Sequence, residues 1–399
     1  MVSFLHAADL HLGMRTTRFD PTTAQKVREA RFAALDNILK RARELKVDFL
    51  LIAGDLFDDS AVDTRTAQRA FNMLEAQSES MPVFVLPGNH DPLLAGGVWD
   101  RPPWNQLPSK QLSLLDQAAP VDFGGSKLYP CPVLRKTSMD DPTNWIAGQP
   151  QTAGQMRIGV AHGSLKIRDD LPPDDHLISR HAASELQLDY LALGHWHSRR
   201  LYADPSGVER TAYPGVHEPM RFQGSSDSHT GWIPYGGAGR EEFLDSGKGE
   251  VLHVRIRAAG EPPAIQPIDV GHYHWHEEKR ELTSKEDLER LIQDVATREA
   301  CDRCLLRLRV SGLLNAENML RLAELREILA GRYLLGEMDE TSLHIQPTQD
   351  EIHAAAGQGV LRRVLEKLQA ETQSTDAAMQ QVAERAVLLL YQLAGEVRK

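Results

Sequence analysis

Three cysteines in 399 residues, Cys131, Cys301 and Cys304, are too few and too unevenly placed for a disulfide scaffold, and they suit a reducing compartment. Aromatic residues are sparse at 6%. No apolar run approaches the roughly 18 residues that cross a bilayer, which excludes a membrane span. The opening Met-Val-Ser-Phe-Leu-His lacks a basic stretch leading into a long apolar one, so no secretory leader is read there and a cytoplasmic protein is expected. Positive charge is in deficit too: 45 Lys and Arg face 56 Asp and Glu, a net charge of −11. Such a chain receives phosphate only through a local basic cluster or bound cations. What remains is an ordinary globular balance, 41% hydrophobic and 25% charged, which excludes wholesale disorder. At about 150 residues per domain, two or three domains are expected.

Strand and helix signals alternate through the first part of the chain. Residues 2–8 read as a short strand ending at Asp9. Over residues 24–46, Val27, Ala34, Leu35, Ile38, Leu39, Ala42 and Leu45 fall on one helical stripe. Residues 49–53 are almost wholly apolar, like a strand buried on both faces. Residues 64–76 read as a helix and 83–86 as another buried strand. This order implies βαβ units with function at the strands' C-terminal ends. From about residue 120 the helical signal thins, and residues 157–161, 190–193, 210–213 and 250–256 predict a second sheet packed on the first. Residues 223–249, rich in Gly and Ser, read as a long loop.

The prolines at 262, 263 and 267 mark a boundary. The expected division is a catalytic domain over 1–265, a small α/β domain over 270–348 and a helical region over 355–399. In the last, Leu361, Val364, Leu365 and Leu368 form one apolar stripe, and Met379, Val382, Ala386, Leu389 and Leu393 another. The chain itself, a second copy in a homodimer, or a partner protein would each cover them.

Five short motifs sit at the predicted strand ends: Asp9-Leu-His11, Gly54-Asp55, Gly88-Asn89-His90-Asp91, His162-Gly163 and Gly194-His195-Trp196-His197. Together they offer oxygen ligands from Asp9, Asp55 and Asn89 and imidazoles from His11, His162, His195 and His197. Residues i and i+2 of an extended segment point the same way, roughly 6.5–7 Å apart. Paired metals in phosphoryl-transfer sites lie about 3.5–4 Å apart. Asp9 and His11 can therefore reach one metal, whereas His195 and His197 can serve different ones. A mixed O/N set without thiolate suits Mn²⁺, Fe or Zn²⁺ over Ca²⁺. Asp55, central in the series, is the natural bridge.

This motif series resembles that of the calcineurin-like metallophosphoesterases. Phe4-Leu-His-Ala-Ala-Asp-Leu-His-Leu-Gly13 and Ala53-Gly-Asp-Leu-Phe-Asp58 look like the SbcD branch, the DNA-repair nucleases. The motifs run from residue 4 to about 216, and the α/β segment after 270 resembles that branch's capping domain. The resemblance implies a two-sheet α/β sandwich flanked by helices, with a small α/β cap and C-terminal helices. It implies that Asp9, His11, Asp55 and His197 hold one divalent ion and that Asp55, Asn89, His162 and His195 hold the other, with Mn²⁺ as the metal. His90 would be the catalytic histidine near the scissile phosphate, with Asp91 as its orienting neighbour. One departure stands out: some members carry a second histidine where this chain has Asp58, so that role is unsupported here. In the SbcD branch the C-terminal helices dock on the coiled coil of an SbcC-type ATPase.

The expected function is a Mn²⁺-dependent DNA exonuclease, the nuclease subunit of an ATPase-linked repair complex with DNA as substrate. The alternatives are a small-molecule phosphodiesterase or phosphatase, and a non-catalytic scaffold on the same fold. Other features are read as structural. His272, His274 and His276 would line one half-exposed strand face, Cys301 and Cys304 lack a second pair, and His6 suits a core position. Arg15, Arg18, Arg199 and Arg200 are either phosphate contacts or solvated surface.

Overall fold

A computed structural model describes residues 1–107, 111–222, 248–299, 301–345, 352–353, 356, 359–374 and 376–396. The loop read at 223–249 lies outside these residues except for its last two. The chain divides into two units, Met1–Glu277 with Arg303–Leu305, and Glu278–Asp302 with Leu306–Lys399.

The first unit runs β1 (Val2–Ala7), α1 (Pro21–Leu45), β2 (Phe49–Ala53), α2 (Thr64–Ser78), β3 (Val83–Leu86), β4 (Leu112–Leu114), β5 (Val121–Phe123), β6 (Ser126–Cys131) and β7 (Met156–His162). It continues with a single turn α3 (Ala182–Glu185), then β8 (Tyr190–Gly194), β9 (Arg200–Ala203), β10 (Glu209–Tyr213), β11 (Glu250–Ile256) and β12 (Ala264–Asp269). One six-stranded sheet has the order β12-β11-β1-β2-β3-β4 and the other β5-β6-β7-β8-β10-β9. β1, β2, β3 and β4 are mutually parallel, as are β6, β7, β8 and β10. Parallel order sets the C-terminal ends of β1, β2 and β3 side by side, and likewise those of β7 and β8.

The apolar runs are buried on both faces because each face has its own cover. In β1 and β2, Leu5, Ala7, Leu50 and Ile52 share a core with Leu35, Ile38 and Leu39 of α1 and Ala70, Phe71 and Leu74 of α2. Their alternate neighbours Phe4, Phe49, Leu51 and Ala53 meet Leu128, Ile158, Val160, Tyr190 and Ala192 of the second sheet. Side chains of a strand alternate faces, so one run serves two layers. Phe4 and Phe49 stack there at 4.7 Å between centroids. α1 starts where Asp20 accepts from the N–H groups of Thr22 and Thr23 and Pro21 fills the first helical position.

The structure adds strands that the sequence pattern does not announce. β4 and β5 have three residues each, too short for any period. β12 carries Pro267 opposite Leu252 on the sheet edge, where a missing N–H costs no ladder bond.

His6 lies between the two sheets with Nδ1 3.0 Å from the Tyr190 hydroxyl, as a core histidine should. Burial lowers its imidazole to about 3. The unfolded chain takes up that proton near 6.5 while the folded chain stays neutral, so this stabilisation is complete above 6.5 and is lost as pH falls toward 3. We expect His6→Asn to flatten the fall of unfolding free energy in that window by up to about 1.4 kcal/mol per pH unit. Urea unfolding at a series of pH values reads it, and curves that stay parallel below pH 6 refute it.

The second unit takes most of a three-stranded sheet, β13 (His274–Leu282), β14 (Cys304–Leu314) and β15 (Leu335–Ile345), in that order. It also holds helices α4 (Lys285–Thr297) and α5 (Ala316–Arg332). Ser284 caps α4 through the Asp287 N–H, and Leu288, Leu291, Ile292 and Val295 are its buried stripe. Asn315 caps α5, which buries Leu322, Leu325 and Leu329. α6 (Val360–Glu371) and α7 (Ala377–Glu396) follow, with Leu365 and Val387 in a shared small core. His274 and His276 are exposed and His272 half-buried. All three cysteines are free and buried. Among the described residues, no helix is long and apolar enough to cross a membrane.

Candidate metal centre

The loops after β1, β2, β3, β7 and β8 converge, and their backbone is under strain where they do so. Among the described residues seven non-glycine positions have positive φ, and four of them are Asp9, His11, Asp55 and His195. Left-handed backbone is costly for such residues and persists where surrounding contacts enforce it, typically at functional sites. The contacts are visible: Asp9 N–H donates to the Gly54 carbonyl at 3.1 Å and His11 N–H to the Asp55 carbonyl at 3.0 Å. Two glycines make room. A Cβ on Gly54 would stand 2.0 Å from His162 Nδ1, and one on Gly88 2.1 Å from Asp55 Oδ1.

All seven ligand-type residues expected from the motifs are brought together and buried. Asn89 Oδ1 lies 2.8 Å from His162 Nε2 and 3.1 Å from His195 Nδ1. Asp55 Oδ2 is 3.3 Å from His162 Nε2 and 3.7 Å from His11 Nε2. His11 Nε2 is 3.2 Å from His197 Nε2. Asp9, His11 and His197 form one group with donor atoms within 4.8 Å of one another, and Asp9, Asp55 and His162 another. Metal–ligand bonds of about 2.1 Å place neighbouring donors of an octahedron roughly 3 Å apart. The observed spacings fit divalent cations, and the O/N donor set without thiolate suits the harder transition metals.

The supports of these groups fix their direction. His162 Nδ1 is 3.0 Å from the Ala53 carbonyl, which accepts its N–H and leaves Nε2 facing Asn89. Asp55 Oδ1 accepts the His90 N–H at 2.9 Å, leaving Oδ2 toward the imidazoles. Asp9 accepts the His195 N–H on both oxygens, at 2.9 and 3.0 Å. Burial alone would raise both carboxyls. Asp9 does rise, to about 7, with the neighbouring Asp55 charge adding to burial. Asp55 instead sits well below the usual carboxylate range, because the His162, His90 and His11 rings outweigh its burial. His162 rises to about 9 against its own burial, through Asp55 and Asp9. The charge states of Asp9, Asp55 and His162 are thus set by one another within a buried cluster.

His90 stands beside this set, half-buried, its ring 4.8 Å from that of His11. Its orienting partner is not Asp91. That carboxylate is wholly buried and accepts the N–H groups of Gly88 at 2.7 Å and Phe57 at 2.9 Å, so it pins the backbone of two loops. The His90 ring is held by the Asp58 carbonyl, 2.9 Å from Nδ1. Asp58 also places Oδ1 3.2 Å from His11 Nδ1, so the residue that departs from the family pattern supports two histidines. Asp175, 3.0 Å from His195 Nε2, escaped the sequence reading altogether, since nothing in Asp174-Asp175-His176 sets it apart from a solvated loop.

Strand-end loops from two packed sheets, converging on buried O/N donors in groups that could hold metal ions, have the form of a metallophosphoesterase site. Residues 2–199 match the family model of the calcineurin-like phosphoesterases, so this stretch is a calcineurin-like metallophosphoesterase domain. It is 26% identical over 243 residues to the uncharacterized metallophosphoesterase YhaO of Bacillus subtilis, covering 57% of this chain and 55% of that one. It is 27% identical over 240 residues to the DNA double-strand break repair protein Mre11 of Aeropyrum pernix, covering 56% and 55%. The chain thus spans little more than half the length of these two relatives. Among solved structures, a dimetal phosphatase from Danio rerio aligns with a TM-score of 0.39 at 12% identity, over 68% of this chain and 98% of that one.

Proposed function

We propose that the chain is a Mn²⁺-dependent DNA exonuclease that works as the nuclease subunit of an ATPase-linked repair complex. The observation that carries the reading is the meeting of two donor sets at Asp55 Oδ2, with the half-exposed His90 beside them. Asp9, His11, Asp55 and His197 would hold one ion, and Asp55, Asn89, His162 and His195 the other. Two such ions supply a nucleophile from water near neutral pH and offset the charge of a phosphodiester. They also answer the net charge of −11, since the backbone phosphate then meets a local excess of positive charge. His90, with Nδ1–H given to the Asp58 carbonyl, would act as an imidazolium whose Nε2–H passes its proton to the departing oxygen and leaves the ring neutral. DNA as the substrate is supported by the Mre11 relative, whose name specifies double-strand break repair.

The partner we assign is a coiled-coil ATPase of the SbcC type, received by the C-terminal helices. Val360, Val382 and Met379 are 69%, 68% and 53% exposed on α6 and α7, apolar side chains that the described residues leave uncovered. Residues 270–348 would form the α/β capping domain of such a nuclease.

The purified chain with Mn²⁺ should shorten end-labelled duplex DNA with time and lose that activity in EDTA. Deletion of residues 357–399 should leave cleavage of a model phosphodiester and abolish co-purification with the ATPase. Hydrolysis of small phosphate esters with DNA left intact would make it a small-molecule phosphodiesterase or phosphatase. No hydrolysis of either by the metal-loaded chain would leave a scaffold.

A further inference from the structure

His195 has a neighbour at each ring nitrogen. Nδ1 is 3.1 Å from Asn89 Oδ1, on the side of the donor set, and Nε2 is 3.0 Å from Asp175 Oδ1, on the side away from it. A neutral imidazole carries one N–H, and a carboxylate can only accept. Were the proton on Nδ1, the Nε2 lone pair would face a carboxylate oxygen at hydrogen-bond distance with nothing between them. The stable arrangement has Nε2–H donating to Asp175, which turns the Nδ1 lone pair toward Asn89.

Asp175 is itself fixed from behind. Its Oδ2 accepts the Ser164 hydroxyl in a short hydrogen bond, and Ser164 Oγ accepts the Trp196 Nε1–H at 2.9 Å. Ser164 comes two residues after His162 and Trp196 directly after His195, so this chain of bonds links the two histidine motifs. The backbone closes the same link: Ser164 N–H donates to the Asp175 carbonyl at 3.3 Å, and Leu165 bridges Ile178. Gly163 is required there, because a Cβ on it would stand 2.3 Å from the His176 carbonyl oxygen. The glycine of the His162-Gly163 motif thereby admits the loop that delivers Asp175.

We propose that Asp175 is a positioning residue for one of the two cation sites, fixing the tautomer and direction of His195 through a carboxylate–histidine pair anchored on Ser164 and Trp196. The inference rests on the two-cation reading of the centre. It separates the two sites: His195 belongs to the set with Asn89 and His162, whereas Asp9, His11 and His197 form the other group. Outer partners of this kind typically govern about 10–100-fold in metal affinity.

The test is a Mn²⁺ titration of the metal-free full-length chain by calorimetry, with elemental analysis after dialysis, for the native protein, Asp175→Asn and Asp175→Ala. The native chain should take two ions. Asp175→Ala should bind the first as tightly as the native chain and the second about 10–100-fold more weakly. Asp175→Asn, whose amide oxygen still accepts the Nε2–H, should fall between them. The Mn²⁺ concentration for half-maximal hydrolysis should rise by the same factor, with kcat at saturating Mn²⁺ within a few-fold of native. Two ions bound by Asp175→Ala at native affinity would overturn the role of Asp175 alone. Loss of both ions together, with a lowered melting temperature of the metal-free variant, would make Asp175 a structural residue and also overturn it. A native chain that takes fewer than two ions would overturn the two-cation reading and this inference with it.

Discussion

Asp55→Ala should leave the purified chain without either divalent ion and with hydrolysis at background. Its Oδ2 lies near a donor of each set, 3.3 Å from His162 Nε2 and 3.7 Å from His11 Nε2. In this reading the remaining donors are Asp9 with the imidazoles of His11 and His197 on one side, and the Asn89 amide with the imidazoles of His162 and His195 on the other. Without the Asp55 charge neither set can offset a divalent cation in a dry pocket. Enzymatic accelerations begin near 10⁶-fold, so losing both ions should cost turnover at least about 10⁴-fold. His197→Ala is the contrast, since His197 groups with Asp9 and His11, and should weaken mainly one ion. Elemental analysis after dialysis distinguishes the two variants. Two ions retained by Asp55→Ala would sink the bridging role. The fold should survive the change, because Asp55 lies beyond the apolar run of β2 and Oδ1 accepts only the His90 N–H, a bond worth roughly 1–3 kcal/mol.

The parts of the centre that could be read from sequence are those attached to period and punctuation. Residues 49–53 could be placed as a doubly covered strand because every side chain in them is apolar. Gly54-Asp55 then falls at the strand's end, where an α/β sheet presents its function. The seven ligand-type residues follow the same logic, each in a motif just after a strand. Asp58 could be seen as a departure from the family pattern but not as the carbonyl that holds His90, because a backbone acceptor leaves no mark in side-chain chemistry. Asp91 was given to His90 by adjacency, yet its side chain turns inward to Gly88 and Phe57, since neighbours in a tight loop point apart. Asp175 is the clearest failure of local reading. Its partner His195 is 20 residues away, and pairings of its loop with the segments at Ser164 and Ser138 bring them together. β4, β5 and β9 were missed for a related reason. They are three or four residues long, and neighbouring strands specify them more than their own pattern does.

His90→Ala should keep both ions and still lose about 10²–10⁴-fold in turnover, the range for a general acid–base group. The geometry separates the two effects. The backbone N–H of His90 donates to Asp55 Oδ1, and alanine retains that bond, so Asp55 stays aimed. The side chain turns the other way, to the Asp58 carbonyl and the edge of His11. A competing arrangement exists, since His11, Asp58 and His90 also bring donor atoms within 4.8 Å. If that group held an ion, the alanine variant would lose metal along with rate, and elemental analysis would show it. Substrate choice gives the second readout. A group that protonates the departing oxygen matters most for an alkoxide and least for p-nitrophenolate, which leaves unaided. The variant should therefore lose far more on DNA than on a p-nitrophenyl diester. Equal losses on both would place His90 at the attacking or equatorial oxygens and remove it from the leaving group.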